Sequence, residues 1–185
     1  MRVIAGKAKG HRLRGPRSRR DRAAVTRPSS DLVRGAIFSA LASMAVDLSR
    51  VLDLYAGSGA LGIEALSRGA QWCDFVERDP AACAVIKANL SATGFDGQSA
   101  VNCLPAERAE GRLQGVYTLV LADPPYADPG ALSVLRSLAG SGLVEAGRTV
   151  VVVEHSSREE PPQELGVMGL QSRRRHGDSA VSIYR

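Results

Sequence analysis

The sequence predicts an α/β fold: a mostly parallel, doubly wound sheet of seven strands ending in an antiparallel hairpin, with a basic β-hairpin extension at the N-terminus. Three observations predict it. Short apolar runs alternate with helical patterns from Val51 onward, a glycine-rich turn joins the first run to the next helix, and the last two strand-like runs follow each other around a short polar turn.

In chain order, Arg2-Val-Ile-Ala5 and His11-Arg-Leu13 flank Gly6-Lys-Ala-Lys-Gly10, the pattern of a hairpin with a glycine-bounded loop, and a polar stretch from Gly15 to Arg27 follows. Pro28-Ser-Ser-Asp31 reads as a helix start, and Val33, Ile37, Phe38 and Leu41 give that helix one apolar face. Residues 51–55 form a short buried strand, 60–67 a helix, 72–77 a second strand and 80–90 a second helix. Further strands are predicted at 100–103, 117–122 and 149–154, with a helix at 131–138 between the last two. Residues 169–175 and 180–184 then pair as strands around His176-Gly-Asp-Ser179.

At 185 residues the chain has the size of one α/β domain, able to bury a core without disulfides or structural metal. Cys73, Cys83 and Cys103 are odd in number and form no C-x-x-C pair, which disfavours a disulfide framework and a zinc site and fits a reduced, cytoplasmic compartment with no metal. No apolar run approaches the roughly 20 residues that span a bilayer. The formal net charge of +5 is unevenly spread: residues 1–34 hold 11 of the 24 Lys and Arg but only Asp21 and Asp31 among the acids. The expected division is therefore a basic extension over residues 1–30 and a folded body over 31–185, with any affinity for phosphates starting in the extension.

Gly57-Ser-Gly59-Ala-Leu-Gly62 follows a strand and opens a helix, so a ligand can approach the backbone where the helix amides point. Glu77 lies 20 residues after Gly57, where an acid takes hydrogen bonds from ribose hydroxyls. These features alone admit NAD or S-adenosylmethionine, and they also admit a turn with no ligand. Asp53, placed before the turn, repels a pyrophosphate but pairs with an ammonium group, and so favours S-adenosylmethionine.

Asp123-Pro-Pro-Tyr126 ends the strand at 117–122 and so falls at the carboxyl edge of the sheet, beside the glycine turn. An exocyclic base amine is a poor nucleophile because its lone pair is delocalised into the ring. A site that alkylates it needs acceptors for the amine hydrogens: Asp123 is one, the Pro124 carbonyl a second, and Tyr126 can stack on the base. Taken without the glycine turn, the tetrapeptide reads as a rigid strand-closing turn.

Asp53-Leu-Tyr-Ala-Gly-Ser-Gly59, Glu77 and Asp123-Pro-Pro-Tyr126, in this order, resemble the Rossmann-like class I methyltransferases that act on amino groups. Arg27-Pro-Ser-Ser-Asp31-Leu-Val-Arg34, the Ala56–Gly69 run and the C-terminal Tyr184 are similar, more narrowly, to the RsmD-type 16S ribosomal-RNA guanine-N2 methyltransferases, over nearly the whole chain. That resemblance implies a bacterial, cytoplasmic enzyme that methylates the guanine N2 amine in small-subunit RNA, within the subunit or an assembly intermediate; the size of the chain alone suggests a monomer. It implies a cofactor-binding set of Asp53, Tyr55, Gly57, Gly59, Glu77, Arg78 and Leu104 for S-adenosylmethionine, and a catalytic set of Asp123, Pro124, Pro125 and Tyr126. At the adenine contact Leu104 is followed by Pro105, which has no amide hydrogen to donate.

Arg12, Arg14, Arg17, Arg19, Arg20, Arg22, Arg27 and Arg34 are the expected grip on RNA phosphates, salt-sensitive and blind to base identity. Arg173-Arg-Arg175 reads either as more of that surface or as a charged edge that blocks strand pairing, while His155 and His176 read as structural. The rival activities are amino methylation of adenine or cytosine in DNA or another RNA, NAD-dependent oxidoreduction, and a non-catalytic RNA-binding role. DNA methylation would call for a sizeable target-recognition domain, for which no room is expected, and the oxidoreductase for a substrate domain and a catalytic acid or base, which the sequence does not offer after the nucleotide-binding half.

Overall fold

A computed structural model describes residues 1–15, 28–125, 128 and 130–185, with the side chains of 28–30 left aside. In chain order the elements are α1 (Pro28–Ser43), β1 (Arg50–Leu54), α2 (Ala60–Ser67), β2 (Trp72–Glu77), α3 (Pro80–Thr93), β3 (Ser99–Cys103), β4 (Leu119–Ala122), α4 (Ala131–Ala139), β5 (Val150–Ser156), β6 (Glu164–Leu165), β7 (Met168–His176) and β8 (Ser179–Tyr184). Short 3-10 turns occupy Asp96–Gln98 and Ala106–Arg108.

The sheet order is β3-β2-β1-β4-β5-β8-β7-β6, parallel from β3 to β5 and antiparallel through β8, β7 and β6. Seven of these strands coincide with those read from the sequence. The eighth, β6, has two residues, Glu164 and Leu165, pairing with Gly169 and Met168, and is too short to carry a periodic signal.

Alternation along the strands builds two apolar layers. Val51, Phe75, Leu119, Leu121 and Val152 pack on one face with α1 and α2, through Ile37, Phe38, Leu41 and Ile63. Leu52, Leu54, Val76, Val120 and Val153 pack on the other with α4, through Val134, Leu135 and Leu138. Local chemistry sets the helix ends. Asp79 caps α3, its side chain accepting from Ala81 N at 2.9 Å with Pro80 in the first turn, and Gly94 closes the helix at φ 75°. Gly62, in α2, has no space for a side chain: a Cβ there would lie 2.4 Å from the Phe75 ring.

The N-terminal segment folds back on itself, with Arg2 bridged to Arg12, and is joined to the body. Val3, Ala8 and Leu13 enter the first apolar layer. Glu64, on α2 and 0% exposed, accepts from Ile4 N at 2.8 Å and Ala5 N at 3.0 Å, and Asn89 of α3 both donates to and accepts from the Arg14 backbone. The same Glu64 receives Arg68 Nε at 2.8 Å and lies 3.6 Å from Arg34 Nε, so one buried carboxylate joins three parts of the chain.

Candidate active site

The register of the parallel strands brings the site together. Leu54 pairs with both Val76 and Ala122, Ala122 pairs with Val153, and Glu77 pairs with Cys103. One residue further along each strand, Glu77, Tyr55, Asp123 and Glu154 form a row across the carboxyl edge, although they are far apart in sequence. In-register residues of neighbouring strands share a face, so Glu77, Asp123 and Glu154 all belong to the α2 side. Tyr55 leaves that pattern. Its φ of +63°, rare for a residue with a side chain, turns it away from the α2 side, and it packs against the second apolar layer.

Behind the row, the turn from Tyr55 to Gly59 is held by its own backbone, with Gly59 N donating to Ala56 O at 2.7 Å and Ala56 N to Val76 O at 3.0 Å. Gly57 has φ +55°, and a Cβ there would meet only the Tyr55 carbonyl, at 4.0 Å, so this glycine keeps open space above the turn. Gly59 caps α2 at φ 77°. Glu77 fastens two loops at once: Oε2 accepts from Gly57 N and Oε1 from Asp79 N, each at 2.8 Å. Asp53 is buried and accepts from Gly62 N at 2.8 Å through Oδ2, so it anchors the first turn of α2. Its other oxygen accepts no hydrogen bond among the described residues. Burial pushes the Asp53 carboxyl up to about 8; the Gly62 amide opposes the shift, and the charges of Asp123 and Glu77 add to it.

Two connected spaces open on the row. The outer one, about 470 Å³, is bordered by Tyr55, Gly57, Glu77, Arg78, Leu104 and the Asp123-Pro124-Pro125 segment. The inner recess, about 260 Å³, is bordered by Met1, Arg34, Asp53, Ser58, Asp123 and Glu154. The expected cofactor and catalytic residues therefore share one cleft, apart from Gly59, which acts through the helix cap, and Tyr126, which lies outside the described residues.

Asp123 is exposed at the cleft, yet protein packed around its carboxyl and, second, the Glu154 charge push it up to about 7. Water on the open side screens the group in part, and the carboxyl still takes up a proton more readily than a free one. The Tyr55 hydroxyl is buried without a hydrogen-bond partner and is raised to about 12 by desolvation, then by the charges of Asp128 and Glu107. An orphaned hydroxyl, open space over Gly57 and a predominantly acidic lining fit a ligand that carries positive charge and its own hydrogen-bonding groups, as S-adenosylmethionine does. Among the described residues no group of His, Cys, Asp or Glu is placed to hold a metal ion.

The basic residues divide. Arg12 and Arg14 are exposed beside the docked N-terminal segment, and Arg17, Arg19, Arg20, Arg22 and Arg27 lie outside the described residues. Arg34 corrects the expectation: it is 3% exposed, donates to Asp31 at 2.9 Å and to the Arg2 carbonyl, and faces Glu64, so its guanidinium is committed inside the fold and is not free for phosphates. Arg173 likewise donates to Glu160 and to the Ser157 and Glu159 carbonyls, holding the loop before β6.

Sequence reasoning missed Glu154, the residue before His155. His155 is turned to the opposite face of β5, where Nδ1 lies 2.9 Å from Ser156 O and Nε2 2.8 Å from Ser182 Oγ. The carbonyl can only accept, so Nδ1 donates to Ser156 O, while Nε2 pairs with the Ser182 hydroxyl, which can act as donor or acceptor. The available signal was strand parity: Val150 and Val152 face α2, and so therefore does Glu154.

The family described as Conserved hypothetical protein 95 matches residues 1–185. YlbH of Bacillus subtilis (strain 168), named as a candidate rRNA methyltransferase, is 34% identical over 188 aligned residues, covering 100% of this chain and 98% of its own. Ribosomal RNA small subunit methyltransferase D of Escherichia coli (strain K12) is 29% identical over 185 residues, 100% of this chain and 89% of its own. Among solved structures, the Escherichia coli methyltransferase candidate yhhF superposes with a TM-score of 0.79 at 30% identity, covering 100% of this chain and 96% of that one.

Proposed function

Since the chain belongs to the Conserved hypothetical protein 95 family, the family of RsmD-type rRNA methyltransferases, we propose that it methylates the exocyclic N2 amine of a guanine in small-subunit (16S) ribosomal RNA, with S-adenosylmethionine as donor. The observation that carries the reading is that the Asp123-Pro124-Pro125 segment borders the same cleft as Gly57 and Glu77.

In this reading Glu77 takes the ribose hydroxyls through lone pairs left over from Gly57 N and Asp79 N, and Asp53 and the Tyr55 hydroxyl hold the polar end of the donor. Arg78 and Leu104 border the rest of its site. S-adenosylmethionine, when bound, supplies a methyl group activated by a positively charged sulfur, so the amine gains the methyl and must shed one proton. Asp123 accepts one amine hydrogen, which localises the nitrogen lone pair, and its raised pKa suits it to take the released proton and pass it to water on its open side. The Pro124 carbonyl accepts the second hydrogen, and Tyr126 stacks on the base. Holding amine and methyl in line contributes about 7–11 kcal/mol at most, the largest share open to the protein.

Residues 1–30 supply the phosphate grip through Arg12, Arg14, Arg17, Arg19, Arg20, Arg22 and Arg27, residues 31–185 carry the transferase, and the enzyme acts as a cytoplasmic monomer on the subunit or an assembly intermediate. Met1 borders the inner recess, with Ser58 Oγ 3.7 Å from its sulfur, so RNA held by the basic segment is held next to the catalytic row.

The test is transfer of labelled methyl from S-adenosylmethionine to unmethylated small subunits, followed by nucleoside analysis, for the native chain and Asp123→Ala. Label in N2-methylguanosine that disappears in the variant is the expected result. Label in N6-methyladenosine, or none with subunits and naked RNA alike, overturns the reading.

A further inference from the structure

Glu154 has chemistry the reading above does not use. It follows Val153, the register partner of Ala122, and so stands beside Asp123 on the same face of the neighbouring strand, about 4.8 Å away in backbone terms. Both carboxylates border the outer cleft and the inner recess, and among the described residues neither has a hydrogen-bond or ion-pair partner. The other acids at the cleft are less free: Asp53, Glu77 and Asp128 each accept a backbone amide, and Glu107 borders only the outer space. Of the two cations that border these spaces, Arg34 is held by Asp31 and Glu64, and Arg78 is exposed beside Glu77 at the β2 end of the row, with β1 and β4 between it and Glu154. Two adjacent groups that only accept hydrogen bonds, and that no donor among the described residues pairs with, are matched by a ligand edge that offers two adjacent donors.

Among the amino-bearing bases, guanine has that edge: its N2 amine sits next to a ring N1–H. Adenine and cytosine place a lone-pair nitrogen beside the amine, and a carboxylate facing it is repelled and left unpaired. We propose that Glu154 is the residue that selects guanine, its carboxylate accepting the ring N1–H while Asp123 accepts from the N2 amine. This rests on the guanine-amine reading above and adds to it the group that distinguishes the base. The charge that Glu154 places on Asp123 accords with two carboxyls converging on one ligand.

The experiment uses the full chain and an RNA substrate whose methylated guanosine has been mapped with the native enzyme. That guanosine is replaced by 2-aminopurine, which keeps the 2-amino group but has a bare N1, and KM and kcat are measured for native protein and Glu154→Gln on both substrates. The native enzyme should prefer guanine by about 10–100-fold in kcat/KM. In Glu154→Gln, whose side-chain amide can donate to the bare nitrogen, the preference should shrink to within about threefold, with S-adenosylhomocysteine binding unchanged. Equal discrimination by the two proteins overturns the assignment, as does a native enzyme that accepts both bases equally, a result that needs no variant to fold. A native product other than N2-methylguanosine overturns the underlying reading instead, and is told apart because it is seen before any substitution is made.

Discussion

Replacing Glu64 by Ala should be among the most damaging single changes in the chain. The side chain is 0% exposed, accepts from three donors, Ile4 N at 2.8 Å, Ala5 N at 3.0 Å and Arg68 Nε at 2.8 Å, and pairs by charge with Arg34, whose Nε lies 3.6 Å away. Hydrogen bonds to a charged acceptor contribute about 1.5–3 kcal/mol each, and breaking a buried pair while leaving its partner inside costs about 3–5 kcal/mol. Arg34 keeps Asp31 and the Arg2 carbonyl, and Arg68 is partly solvated, so these costs do not add in full. The expected loss is about 4 kcal/mol, or about 8–16 °C in Tm for a chain of this size. Glu64→Gln should cost about half as much, since one oxygen remains while the amide nitrogen faces donors. Arg148 and Glu145, more than half exposed and 3.4 Å apart, give the contrast: Glu145→Ala should cost no more than about 0.5 kcal/mol. Urea unfolding measures the stabilities, and limited proteolysis reads the N-terminal segment, which should become cleavable in Glu64→Ala at denaturant concentrations where the body is still folded. A loss below about 1 kcal/mol, or a large loss with that segment still protected, would refute the reasoning.

The remaining predictions concern charge. Asp123 must be ionised to accept an amine hydrogen, and its pKa is raised to about 7, so kcat/KM should be full above that pH and fall about tenfold per unit below it; Glu154→Gln, by removing a like charge, should move the inflection to lower pH. Asp53 is raised to about 8 when folded, so the folded state holds a proton that the unfolded chain has already lost, and the stability this gives is full below the unfolded value of 3.8 and drains away as pH rises towards 8. Between pH 6 and 8 the native chain should lose about 2 kcal/mol by urea unfolding that Asp53→Asn, which can still accept from Gly62 N, does not lose. Replacing Arg12 and Arg14 together by Ala should flatten the salt dependence of RNA binding by about two counterions while leaving the methylated base unchanged, as read by filter binding and nucleoside analysis.

Most elements were legible because their signals are local. The helical pattern starting at Pro80 was read as far as residue 90, while α3 runs on to Thr93, where Gly94 takes the left-handed cap, and the run Val150–Val153 reads as buried strand. The glycine turn, Glu77 and Asp123-Pro-Pro were legible for the same reason, each being a short pattern at the end of a strand. What sequence alone determined was therefore the order of elements and which residue types end the strands. The sequence also placed Asp123 beside the glycine turn, but tertiary structure decided which further side chains share that edge: β1 is inserted between β2 and β4 with β5 beyond, and that order sets Glu154 in one row with Glu77 and Asp123. Tyr55 shows the limit of parity, because a left-handed backbone reversed the face that alternation assigned to it. Arg34 shows the limit of charge counting. In the sequence it is one more arginine of a basic stretch, and in the fold it is sealed against Glu64 from a different helix, because a buried carboxylate attracts the nearest cation regardless of how far apart the two stand in the chain.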